Sequence, residues 1–215
     1  MSGSGCILLL PARAKLRGEL AQAPSLQKLI GRGDALEDGE AGELGQLGRL
    51  FDITPLGLPA AALSRQFDCG DAAGSQWLRA DPATLQPEMN GVRLMAVGEL
   101  GLRPDEAEAL ALAVQPLFGD AGMPLTAPST SRWYLRVEAG ARLPAFSAPE
   151  DAIGDDYGVH LPYGDVGRRW RALLNEAQVI LHNHPVNAQR AAAGKPPVNS
   201  LWFWGEGRLP DHVRS

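Results

Sequence analysis

The stretch VILHNHPVNAQRAAAGKPPVNSLWFWG, Val179 to Gly205, gathers imidazoles, amides and a guanidinium around a proline pair. Two histidines suggest a metal. His182 and His184 lie two positions apart, so they share a side on a strand and diverge on a helix. A zinc site needs three or four ligands, and the chain has only two further histidines, His160 and His212. No metal site is expected here, and capping is the simpler role, because a histidine at a helix C-terminus can bond the free carbonyls. The arginines hold more chemistry. Arg132 and Arg136 share one face of an extended run, Arg79 belongs to a separate short strand, and Arg190 to a helix after Pro185. Guanidinium is a planar fork matched to phosphate or carboxylate, although with 25 acidic residues in the chain any one of these forks can be spent inside the fold. Ser64, Thr54 and Thr84 are nucleophiles by type only, and none sits beside an identifiable base.

The elements that must position these groups follow from pattern. Cys6–Leu10 is a continuous apolar run closed by Pro11, suited to a strand covered on both faces. Residues 13–50 hold helical fragments such as Leu20–Ile30 and a glycine-interrupted helix, GEAGELGQLGRLF, leading to a turn at Thr54–Pro55. WLRADP reads as a short strand ended by Pro82. GVRLMAVG alternates, with Val92, Leu94 and Ala96 on one face. Pro104, Asp105 and Glu106 open a helix, since proline tolerates the first turn and acids favour it. Its buried stripe is Leu110, Ala113, Val114 and Leu117, with Gly119 to close it. SRWYLRV is a strand with Trp133, Leu135 and Val137 on one face. Residues 139–167 read mostly as loop. A second helix carries Trp170, Leu173, Leu174, Ala177 and Leu181 on one stripe and must end or kink by Pro185. NAQRAAAG gives a short helix with Asn187 as N-cap and Gly194 at C′, and NSLWFWG the last strand.

Strands alternating with helices give an α/β or α+β class, a mixed sheet flanked by helices. A chain of 215 residues can hold one large domain or two small ones, burying roughly 70% of its unfolded surface. The division expected is 1–74, a strand and helical segment packed on the rest, and 75–215, a binding domain. A net charge of −5 argues against a nucleic-acid partner. No apolar run approaches the roughly 20 residues of a membrane span, and the first residues have no basic segment before their apolar core, so they read as a strand and not a signal peptide. Cys6 and Cys69 form no framework or metal spacing. The setting expected is cytoplasmic.

The order WLRADPATL, then a strand, RPDEAEAL, and SRWYLRV resembles the substrate domain of archaeal-type cofactor-independent phosphoglycerate mutases. That family carries an R-x-N-x-x-T strand, an acidic helix and a YRH-like strand. The unbroken HPVNAQRAAAGKPPVNSLWFWGEG is similar to the family's HPVN, following Arg, G-x-P and W-x-W-G-x-G. The likeness spans about residues 75–210 and is nearest to a bacterial branch of phosphoglycerate mutase-like, RpfE-type regulatory proteins. It implies a fold like a reduced cofactor-independent phosphoglycerate mutase, of the alkaline phosphatase superfamily. It also implies that Arg79, Arg132, His184, Asn187, Arg190 and Asn199 lie near a binding surface for a small phosphorylated acid. Asp81 stands where the family pattern has Asn, and Trp133-Tyr134 replaces the His after Arg132.

The same resemblance implies catalysis by two metal ions on Asp and His ligands with a phosphorylated Ser or Thr. The family's Asp-Gly after the first strand is replaced here by LLLPARAK. Beyond WGEG the family continues to further ligands, whereas here only Asp211-His212 resembles a ligand pair, expected as an exposed turn. The expectation is therefore a metal-free, non-catalytic relative that binds a small anionic metabolite or a protein partner, plausibly in regulation, with no cofactor. An active phosphoglycerate mutase or phosphatase, using Mn or Zn, and a purely structural or interaction protein are the alternatives.

Overall fold

The computed structural model describes residues 23–33, 42–48, 50–54 and 57–214. The expected strand Cys6–Leu10 lies outside them. In chain order the elements are α1 (Pro24–Ile30), α2 (Glu43–Gly48), β1 (Asp52–Thr54), α3 (Ala60–Cys69), β2 (Gln76–Glu88) and β3 (Gly91–Val97). There follow α4 (Pro104–Asp120), β4 (Leu125–Thr126), β5 (Tyr134–Val137), α5 (Pro149–Ala152), a single 3-10 turn (Tyr157–His160), α6 (Gly164–His182), α7 (Pro185–Ala192), β6 (Ser200–Gly207) and β7 (His212–Arg214). The architecture is an antiparallel sheet flanked by helices, with β2 as its spine.

Strand β2 does not stop at Pro82. One of its edges is lined by β6 along Trp77–Ala83, and the other first by β5 along Gln76–Arg79, then by β3 along Ala83–Glu88. The carbonyl of Pro82 accepts from Gly98 on the β3 side, so its missing N–H faces the edge where β5 gives way to β3. No ladder donor is lost there, which is how a proline is accommodated within a strand. Core-facing residues also change from Leu78 and Ala80 to Ala83 and Leu85 across this point.

One face of the sheet carries the main core. Leu78, Leu94, Leu135, Leu201 and Phe203 pack with Leu110, Val114 and Phe118 of α4 and with Trp170, Leu173, Leu174, Ala177 and Leu181 of α6. The α6 stripe is the expected one. In α4 the stripe rotates by one residue to Ala107, Leu110, Ala111, Val114 and Phe118, because Phe118 takes the buried position and meets Phe203 edge-on at 5.9 Å. That helix continues through Pro116 to Asp120, past the expected stop at Gly119.

The other face is covered by α3, which forms a small separate cluster of Ala61, Ala62, Ala72, Trp77 and Tyr134. The W-G-E-G motif finds its physical reason here. Gly205 has φ +68°, and a Cβ on it would stand 3.0 Å from that of Ala60, while one on Gly207 would stand 2.5 Å from that of Pro59. Only residues without a Cβ let the start of α3 lie this close on β6. The tail is not a turn, since His212–Arg214 pairs antiparallel with β1, which itself takes in Thr54. Among the described residues no helix is long and apolar enough to cross a membrane.

Candidate functional site

Alternation along β2 points Trp77, Arg79 and Asp81 toward α3 and Leu78 and Ala80 toward the core. Arg79, 7% exposed, donates from Nε and Nη2 to the two oxygens of Asp81 at 2.9 and 2.7 Å. Asp81 also accepts from the Trp133 amide at 3.1 Å and from Trp204 Nε1 at 2.8 Å. Burial pushes the Asp81 carboxyl up, opposed by the Arg79 guanidinium beside it. Tyr134 and Trp204 present ring faces to that guanidinium at 5.3 and 5.0 Å.

Two more forks complete this lattice. Arg132 donates from Nε and Nη2 to Asp68 at 2.7 and 2.6 Å, and Tyr134 donates its hydroxyl to Asp68 at 2.6 Å. Bonding to Arg132 holds the Asp68 carboxyl below the usual carboxylate range, with the Tyr134 hydroxyl adding to it. Burial, then the bond to Asp68, pushes Tyr134 up to about 12. Arg65 lies 4.5 Å over the Trp77 ring and forks onto Asp71 at 2.6 and 2.7 Å. Sequence reasoning missed Asp68, Arg65 and Asp71, because Asp68 finds Arg132 and Tyr134 only 64 and 66 residues on and Arg65 meets Asp71 across the turn at Gly70. The two-residue spacing of Arg79 and Asp81 on a strand, which puts them on one face, is the signal that could have paired them.

The second assembly lies toward the far end of β2. A groove of about 750 Å³ runs between Leu85–Pro87, the α6–α7 corner and the Pro196–Asn199 segment. His184 caps α7: its Nδ1 accepts from the Val186 amide at 3.3 Å. Asn187 was expected in that role, but it lies inside the helix and bridges instead. Its Nδ2 donates to the carbonyls of Leu181 and Val198, and its Oδ1 accepts from the Val198 amide. Asn199 plays strand partner to Leu85, accepting from its amide and donating to its carbonyl, each at 2.8 Å. Asn183 donates to Val179 O. His182 and Nε2 of His184 remain as imidazole groups in the groove without a partner among the described residues. Among the described residues no Asp, Glu, Lys or Arg lines it.

The six expected binding residues therefore divide. His184, Asn187 and Asn199 line the groove. Arg79 and Arg132 stand in the lattice; six residues separate Arg79 from Leu85, about 20 Å along an extended strand. Arg190 belongs to neither. It is 1% exposed and donates to the carbonyls of Pro196 and Leu100 and to Glu106 at 3.1 Å, tying α7 to α4. Backbone bonding from Arg103 lowers the Glu106 carboxyl and keeps it ionised beside Arg190.

No family model matches the sequence. Over 62 residues the chain is 42% identical to a probable 2,3-bisphosphoglycerate-independent phosphoglycerate mutase of Geobacter sulfurreducens, a stretch covering 29% of this chain and 16% of that protein. The corresponding mutase of Methanosarcina mazei is 40% identical over 62 residues, again 29% and 16%. One segment of this chain is homologous to the phosphoglycerate mutases. The chain matches about a sixth of the length of these relatives. A cofactor-independent phosphoglycerate mutase of Thermoplasma acidophilum superposes with a TM-score of 0.48 at 24% identity, over 64% of this chain and 38% of that one.

Among the described residues no group of three or more His, Cys, Asp or Glu side chains is placed to hold a metal ion. Of the three candidate nucleophiles, two are bonded to backbone, Ser64 Oγ donating to Ala60 O at 2.7 Å and Thr84 Oγ1 to Pro197 O at 2.7 Å, while Thr54 is exposed on β1. The described residues do not fit a two-metal centre.

Proposed function

We propose that this chain is a non-catalytic relative of the phosphoglycerate mutases that binds a small organic acid in the groove between β2, α6 and α7, in a regulatory capacity. One observation carries the reading: the groove combines an apolar wall with His182 and His184 as its only ionisable groups. Leu85, Pro87, Met95 and Pro196 offer surface to a ligand's carbon skeleton, and the imidazoles offer N–H donors to its acid group. The volume suits a metabolite-sized ligand. With no arginine in the lining, a carboxylate is favoured over a phosphate dianion. The backbone-bonded Ser64 and Thr84 support the non-catalytic part. A partner-protein reading is favoured by one feature, an apolar side chain beyond the groove on α6, Val179, 63% exposed.

Calorimetry and thermal shift against 3-phosphoglycerate and unphosphorylated hydroxy acids test the proposal. A Kd between about micromolar and millimolar is expected once the cost of association is met. His182→Ala and His184→Asn, the latter keeping a capping side chain, should each weaken it. Absence of any response at millimolar ligand sinks the metabolite reading. Chelator-sensitive turnover of phosphoglycerate on adding Mn²⁺ or Zn²⁺ sinks the non-catalytic one.

A further inference from the structure

The stretch between β5 and α6 holds little regular structure, α5 and the 3-10 turn, yet it sets three side chains in line. Nδ1 of His160 stands 3.3 Å from Ser147 Oγ, and its Nε2 stands 3.1 Å from a carboxylate oxygen of Asp155. None of the three lines the groove. Both ends of the set rest on the sheet. Trp202, 3% exposed on β6, donates its indole N–H to Ser147 O at 3.0 Å and meets the His160 ring edge-on at 6.5 Å. Asp155 is tied to β3, its carbonyl accepting from the Leu94 amide at 3.2 Å. Ser147 is half-buried, and the side chains of His160 and Asp155 are 15% and 62% exposed, so the set opens to solvent.

The protons set the direction of these bonds. Hydrogen bonding to His160 holds the Asp155 carboxyl below the usual carboxylate range, so near neutral pH it is ionised and can only accept. Nε2 of His160 therefore carries a proton, and in the neutral ring Nδ1 is left as an acceptor. The one hydrogen available to the other contact is that of the Ser147 hydroxyl, which donates to Nδ1. A hydroxyl bonded to a base that a carboxylate orients is an activated nucleophile. The separation of 3.3 Å lies at the loose end of the reach found between nucleophile and base before a co-reactant binds.

We propose that Ser147 is an acyl-acceptor site, with His160 as its base and Asp155 positioning that base, and that its co-reactant is an activated acyl ester of an alcohol or thiol. The bond from Ser147 Oγ to the acyl carbon forms as the bond from that carbon to the leaving oxygen or sulfur breaks. The serine proton passes to His160 Nδ1 and from there to the leaving group. General-base help of about 10²–10⁴-fold suits a donor whose leaving group departs readily. The product is a covalent mark on this loop and not turnover, and it does not depend on the reading given to the groove.

In the test p-nitrophenyl acetate supplies the acyl group, and peptide mass spectrometry locates it on the unaltered protein. Ser147 should be acetylated at least about tenfold faster than the chain's other serines, and His160→Gln should slow that reaction by about 100-fold. Nitrogen NMR of the ring should show His160 as the Nε2–H tautomer, a preference weakened in Asp155→Ala. Acetate that settles on lysines or on His160 while Ser147 stays free overturns the proposal, as does equal labelling of Ser147 in a folded His160→Gln. A neutral His160 ring protonated at Nδ1 in the wild type overturns it without any variant.

Discussion

Replacing Asp81 by Ala isolates the part of the lattice on which most donors converge. The carboxylate is 2% exposed and accepts four hydrogen bonds, two from Arg79 and one each from the Trp133 amide and Trp204 Nε1. Its removal strands a guanidinium that is itself 7% exposed, together with two N–H donors. Breaking a buried pair from one side costs about 3–5 kcal/mol, and the ring faces of Tyr134 and Trp204 soften this by about 1 kcal/mol. A loss of about 2–4 kcal/mol is expected, a large part of the roughly 5–15 kcal/mol that stabilises a domain. Because the penalty belongs to the stranded charge, the double variant Arg79→Met, Asp81→Leu should be more stable than Asp81→Ala alone. Urea denaturation followed by circular dichroism reads both. The reasoning is refuted if Asp81→Ala loses under about 1 kcal/mol with an unchanged m-value, or if the double variant is the less stable of the two.

Other perturbations follow from the same geometry. Arg190→Ala should cost about 3–5 kcal/mol by leaving Glu106 and two carbonyls without their partner, and Arg190→Lys should recover little, because an ammonium gathers its three donors on one nitrogen and cannot span the positions that Nε, Nη1 and Nη2 of the fork reach; chemical denaturation measures both. Asn187→Ala should cost about 2–3 kcal/mol, more than a lost cap, since a buried bridge of three hydrogen bonds is removed. Asp68 is held low in the fold by Arg132, so the stability it supplies is complete above the ordinary carboxylate pKa of about 4 and is lost as pH falls through its lower folded value. Melting curves from pH 7 to 3 should show that acid step shrunken in Asp68→Asn. Tyr134 and Tyr157 are each pushed up to about 12, chiefly by burial, so stability should fall between about pH 10 and 12 as the unfolded phenols ionise first, and Tyr134→Phe should lessen that decline while leaving the share of Tyr157.

Much of the frame was legible in sequence because it rests on local periodicity and on proline and glycine. The α6 stripe from Trp170 to Leu181 follows a 3.6-residue period, and the opening of α4 at Pro104 and the break before Pro185 follow from proline's fixed φ and missing donor. The motifs HPVN and W-G-E-G carried the resemblance to the phosphoglycerate mutases, and a stretch of 62 residues of the chain is homologous to them. What sequence could not reveal was which partner each polar group finds. Pro82 is tolerated inside β2 because two neighbours change places along one edge, a fact of sheet topology. Asn187 bridges instead of capping because the chain returns at Val198 within its reach. The three arginines looked alike as forks for a ligand, yet Arg79, Arg132 and Arg190 each found a carboxylate of the chain itself, and two of those, Asp68 and Glu106, lie 64 and 84 residues away in sequence. Periodicity follows from a residue's near neighbours and so is written in the sequence, whereas a charge pairs with whatever the folded chain brings to it, and only the tertiary structure decides that.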